Sequence, residues 1–116
     1  MRDHNKLRAF ELSDELVLLI YQITKHFPKE EVYGLTSQIR SASVSVPSNI
    51  VEGCARKTDP EYKRFLDMAF SSLREVKYQF SLACRLGYVM NNVANECELI
   101  IIETEKVLAA LIRSLR

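Results

Sequence analysis

Gln38-Ile39-Arg40-Ser41-Ala42-Ser43-Val44-Ser45-Val46-Pro47-Ser48-Asn49-Ile50-Val51-Glu52-Gly53 decides the fold of the chain, because two periodic rows run through it side by side. Leu35, Ile39, Ala42, Val46, Ile50 and Gly53 recur at three- and four-residue steps, which places them on one face of a helix. Gln38, Ala42, Ser45, Asn49, Glu52 and Arg56 follow the same spacing beside them, so hydrogen-bonding and charged groups border the apolar face. Pro47 lies inside this pattern without shifting its phase. It removes one backbone hydrogen bond and crowds the carbonyl of Ser43, which predicts a kink within a continuing helix over roughly residues 30–54. Ser43, Ser45 and Ser48 are placed to satisfy the freed backbone groups.

Upstream, Pro28 forces Phe27 out of the helical region and ends a first helix expected over roughly 13–26. Ser13 is its expected N-cap, with Asp14 and Glu15 in the first turn where the helix dipole favours acidic groups. Met1 to Glu11 is polar and expected to be frayed or extended, anchored by Phe10 and Leu12. The second helix begins at Lys29 to Glu31 and buries Val32, Leu35 and Ile39 in its first half.

Downstream, Thr58-Asp59-Pro60-Glu61 starts a third helix over roughly 60–86, either with Asp59 as N-cap or with Thr58 and Glu61 as a capping box. Tyr62, Leu66, Ala69, Leu73, Val76, Phe80 and Ala83 then keep the four-three spacing of a bundle seam up to Gly87, a residue suited to terminating a helix. Asn91 or Asn92 caps a fourth helix over roughly 92–115, whose stripe is Cys97, Ile101, Thr104, Leu108, Leu111 and Leu115. Four helices joined by short connections predict an all-α, up-down-up-down antiparallel four-helix bundle made of residues 1–116 as one domain. Val17, Leu18 and Tyr21 in the first helix, and Leu99, Ile100 and Ile102 in the fourth, are apolar beyond one core stripe each. That surplus either packs against Tyr33, Tyr88 or the loops or forms a subunit interface, and oligomerisation is the preferred expectation.

The formal net charge of +1 argues against a binder that depends on a strongly basic surface overall. Cys54, Cys84 and Cys97 are odd in number and form no close pair, so they read as buried thiols in a reducing compartment, without a disulfide framework or zinc knuckle. The charged start of the chain does not resemble a signal peptide, and the apolar runs fall far short of the ~20 residues that cross a bilayer. A cytoplasmic protein without membrane attachment is the expectation.

Candidate chemistry is sparse. His4 and His26 lack the Glu-x-x-His context of a di-iron bundle, the serines of the second helix have no histidine in local reach, and the glycines are isolated. No catalytic residue, metal site or cofactor is therefore assigned. Gln38, Ser45, Asn49 and Glu52, facing Ser72 and Glu75 on the next helix, are either a hydrogen-bonded seam that fixes helix register or a small-molecule site. Arg40, Arg56, Lys57, Lys63 and Arg64 are the candidate nucleic-acid-binding residues, within a segment from Arg40 to Arg85 that carries a surplus of positive charge.

Phe27-Pro28, Glu31, Gly34-Leu35, the run Gln38-Ile39-Arg40-x-Ala42-x-x-Ser45-Val46-Pro47-x-Asn49-Ile50-x-Glu52-Gly53, Phe65-Leu66 and Ala69-x-x-Ser72-x-x-Glu75 resemble the signature of bacterial four-helix-bundle proteins encoded in intervening sequences of 23S ribosomal RNA genes. The resemblance implies a closed bundle and a homopentameric ring. A more distant similarity, to accessory proteins of diversity-generating retroelements, implies contact with nucleic acid and a partner enzyme. The expected function is that of a non-enzymatic, homo-oligomeric accessory factor for RNA or DNA; the alternative is a protein-interaction scaffold that touches no nucleic acid.

Overall fold

A computed structural model describes residues 2–115; Met1 and Arg116, the ends of the expected domain, lie outside the described residues. The described chain is helical throughout, with α1 at Arg8–Thr24, α2 at Leu35–Cys54, α3 at Asp59–Arg85 and α4 at Asn91–Arg113. Short 3-10 turns at His4–Lys6 and Lys29–Glu31 precede α1 and α2. Each helix packs on its neighbours in sequence and α4 closes back on α1, while the diagonal pairs stay apart. The result is a four-helix bundle measuring 43 × 25 × 20 Å.

The seven seam positions of α3, from Tyr62 to Ala83, are all buried, and they meet Ile39, Val46 and Ile50 of α2, Leu16 and Ile20 of α1, and Cys97, Ile101 and Leu108 of α4 in one core. α2 and α3 run in opposite directions. Ser45 meets Ser72, while further along α2 Gly53 lies against Tyr62 and Phe65. Across α3 and α4, Glu105 receives Arg74 at 3.1 Å and Lys77 at 3.0 Å. Pro47 is buried within α2, which continues through it to Cys54.

The start of the chain differs from expectation. Met1 to Glu11 is not frayed in its described part: Asp3 caps the first 3-10 turn, and α1 begins at Arg8, five residues before the expected Ser13 cap. Ala9 and Leu12 are buried and Arg8 pairs with Glu11, so apolar anchoring outweighs the polar composition. Ser13 is fully buried inside the helix, where its hydroxyl donates back to the Phe10 carbonyl at 3.0 Å.

The start of α2 also moves. Val32, expected in the core, is exposed in a turn, and α2 begins only at Leu35. Glu31 explains the shift: its Oε1 accepts the Leu35 N–H at 3.1 Å, and its Oε2 accepts the Tyr88 hydroxyl at 2.9 Å. One carboxylate thus caps α2 and ties it to the α3–α4 connection. At α3, Thr58 is the N-cap: its Oγ accepts the Glu61 N–H at 3.3 Å and its hydroxyl donates to Glu61 Oε1 at 3.1 Å. Gly87 follows the end of α3 with a positive φ of 81°, the left-handed conformation that needs no Cβ. The cap of α4 is Met90, not Asn91 or Asn92, and it makes no side-chain capping bond.

Candidate functional site

The connection between α2 and α3 gathers most of the expected basic residues at one end of the bundle. Arg56, two residues past the end of α2, donates to Glu52 Oε1 at 2.7 Å, and its guanidinium lies 5.2 Å from the Phe65 ring centre. Arg64 approaches the same ring at 5.2 Å, so Phe65 carries two guanidinium groups. Among the described residues, Lys57 and Arg64 have no carboxylate within 4.0 Å, whereas Lys63 pairs with Asp67 at 3.7 Å.

Arg2 joins this group. It donates to the Arg56 carbonyl at 2.9 Å, pairs with Asp59 and lies 4.1 Å from the ring centre of Tyr62. Arg2, Arg56 and Lys57 border a surface hollow of about 570 Å³. Sequence reasoning missed Arg2 and the aromatic platform of Phe65, because 54 positions separate Arg2 from Arg56 and no local spacing joins them.

Arg40 is not part of this cluster. It lies 14 positions before Cys54, the last residue of α2, roughly 21 Å along the helix axis from the end that carries the cluster. Its Nε donates to Thr24 Oγ1 at 2.7 Å and its guanidinium lies 4.6 Å from the Tyr21 ring centre, so it faces α1.

The polar row of α2 divides in two. The Asn49 amide donates to the Ser45 carbonyl at 2.8 Å and to Ser45 Oγ at 3.0 Å, while Ser45 and Ser72 hydroxyls share a bond of 2.9 Å. That relay crosses from α2 to α3 and is fully composed of neutral groups. Gln38, Ser45, Ser72 and Glu75 border a cleft of about 430 Å³, together with Gln79, whose Oε1 is buried without a partner among the described residues. Glu52 does not reach this cleft; it pairs with Arg56 at the basic end.

The nucleophile inventory gives no activated group. Burial raises Cys54 and Cys84 above the ordinary thiol value, and it pushes Cys97 up to about 12, with the neighbouring Cys84 next in importance. Thiols held protonated are poor nucleophiles and poor metal ligands. Among the described residues, no three His, Cys, Asp or Glu side chains converge as a metal-binding group, and no helix is long and apolar enough to cross a membrane.

Comparison with known proteins agrees with this architecture. The family model described as 23S rRNA-intervening sequence protein matches residues 5–110. The fold is similar to the crystal structure of a protein with unknown function from the S23 ribosomal protein family of Bacteroides thetaiotaomicron VPI-5482. The two share 20% identity with a TM-score of 0.82, over 90% of this chain and 97% of that one. Comparison with curated proteins gives no match.

Proposed function

The chain belongs to the 23S rRNA-intervening sequence protein family, and from that premise we propose that it is a non-enzymatic, homo-oligomeric, cytoplasmic accessory protein that binds RNA or DNA through the α2–α3 end of the bundle. The observation that carries this reading is the set formed by Arg2, Arg56, Lys57 and Arg64 around Phe65. Guanidinium and ammonium groups attract phosphate, and an aromatic ring between them gives an unpaired base a surface to stack on. Glu52, Asp59 and Asp67 partly neutralise the cations, so each subunit contributes a modest field. A closed ring repeats the patch around its rim, and several weak contacts to one strand then add up.

Fluorescence anisotropy with single-stranded RNA at several salt concentrations tests the proposal. Replacing Arg56, Lys57, Lys63 and Arg64 together by Ala should weaken binding and lower the log–log salt slope by about 0.7 for each phosphate that is no longer neutralised. Unchanged binding by that variant removes the proposed surface.

The second reading, a scaffold that docks another protein, is favoured by exposed Leu18, Leu99 and Met90. It predicts no retention of RNA by the native protein at physiological salt.

A further inference from the structure

At the opposite end of α2 from the basic cluster, a cleft of about 590 Å³ lies where the end of α1, the Lys29–Glu31 turn and the start of α2 meet. Its lining includes Lys25, Lys29 and Arg40 and no carboxylate. We propose that this cleft binds a phosphate monoester, held by Arg40 and the first turn of α2, with the organic part against Tyr21.

Four observations converge on that chemistry. Arg40 is held in place: Thr24 donates its own hydroxyl to the Ile20 carbonyl at 2.7 Å, so its oxygen accepts Arg40 Nε, and Tyr21 lies against the guanidinium. Only Nε is committed, and the two terminal nitrogens have no acceptor among the described residues, which leaves the paired donors that suit phosphate oxygens. The start of α2 is unfilled as well. Glu31 takes the Leu35 N–H and Gln38 bonds back to Gly34, but the N–H groups of Thr36 and Ser37 have no acceptor among the described residues. Thr36, also in the lining, is 8% exposed and its hydroxyl is buried without a partner among the described residues. Two N–H groups without an acceptor at the positive end of a 20-residue helix, with the enclosed Thr36 hydroxyl behind them, are donors that an anion in the cleft would meet. Glu31 also stands at this turn, bonded by the Leu35 N–H and the Tyr88 hydroxyl and outside the cleft lining, and its charge opposes the anion that Arg40, Lys25 and Lys29 attract.

Arg40 lies roughly 21 Å along α2 from Cys54, the end next to the basic cluster, so the site stands independently of the RNA reading. It is tested by following backbone amide resonances during titration with inorganic phosphate and with adenosine 5′-monophosphate. Saturating shifts centred on Thr36 and Ser37 are expected, weakened about tenfold by Arg40→Gln and by a smaller factor by Lys29→Gln. Lys29 is exposed, so the second variant reads binding even where Arg40→Gln disturbs the fold. No saturating shift with either ligand overturns the site, as do shifts that neither variant weakens. RNA trinucleotides with and without a 5′-phosphate identify the source. A response to the phosphorylated form alone assigns the cleft to an RNA terminus, and a response to neither trinucleotide, alongside saturation by the nucleotide, assigns it to a small phosphorylated molecule. Loss of RNA binding in the four-residue variant, with the phosphate shifts intact, bears on the accessory-factor reading alone.

Discussion

Asn49 acts on its neighbours through a single amide group. It bonds both the carbonyl and the hydroxyl of Ser45, and that hydroxyl continues to Ser72 on α3, so the side chain orients the helix-to-helix contact. Asn49→Ala should therefore lower unfolding free energy by about 1 kcal/mol in urea denaturation, the usual worth of a partly buried hydrogen bond. A variant as stable as the native chain would show that the amide has no structural duty and would return the row to the small-molecule reading. A second residue-scale effect concerns pH. Burial raises the Tyr62 phenol from 10.0 to about 12, with the adjacent Cys54 next in importance, and raises Cys97 from 9.0 to about 12. Both groups hold their protons more tightly in the folded state. Their contribution to stability is complete below the unfolded values and is lost as pH rises from about 9 towards 12. Melting temperature should fall across that window, and Tyr62→Phe should flatten the part that begins near pH 10. A variant with the same alkaline slope as the native protein would remove Tyr62 from the explanation.

α2 and α3 come close together at Gly53. A Cβ there would stand 3.0 Å from Phe65 Cβ and 3.2 Å from Tyr62 Cδ1, with the Tyr62 carbonyl at 3.3 Å. Alanine is the better helix former by about 1 kcal/mol, yet it would push against a buried ring and backbone. Gly53→Ala should consequently destabilise the fold by about 1 to 2 kcal/mol in the same denaturation assay, whereas a gain in stability would mean that the helices can separate at little cost. Gly53 also illustrates what was legible in advance. Its place on the apolar face of α2 followed from spacing, as did the whole buried seam of α3, because a strict four-three repeat admits one buried face. Helix starts were harder to read. α1 begins on Leu7 and α4 on Met90, neither of which offers a capping side chain, so tertiary packing rather than local cap chemistry sets those ends. Glu31 in turn caps α2 from outside the helix while bonding Tyr88, 57 positions away. The candidate sites follow the same rule. Arg56 and Arg64 were visible as neighbours in the chain, but Arg2 reaches them only through the folded N-terminus, and the separation of Arg40 reflects the length of α2.

At the scale of the whole molecule, the four helices leave more apolar surface outside than one core requires. Leu18 on α1 is 62% exposed and Leu99 on α4 is 69% exposed, while Ile102 is also open. Single exposed leucines are ordinary, but these occupy the two helices whose apolar residues exceed one stripe, and α1 packs directly on α4. Association of copies through these helices would remove that surface from water at about 25 cal/mol per Å². Size-exclusion chromatography with light scattering should then give a species well above the 13.4 kDa chain, with a pentamer as the expected count. The double variant Leu18→Glu with Leu99→Glu should elute as monomer while keeping its helical circular dichroism, because both side chains lie outside the core and charge at an exposed site costs the isolated subunit little. The ratio of absorbance at 260 and 280 nm on the same peak connects assembly to binding. A ring-sized native peak whose nucleic acid is stripped by salt, together with a monomeric double variant that carries none, would mean that the modest patch around Phe65 works only when repeated. A native protein that is already monomeric would defeat the interface and, with it, the argument that repetition compensates for the small charge of each subunit.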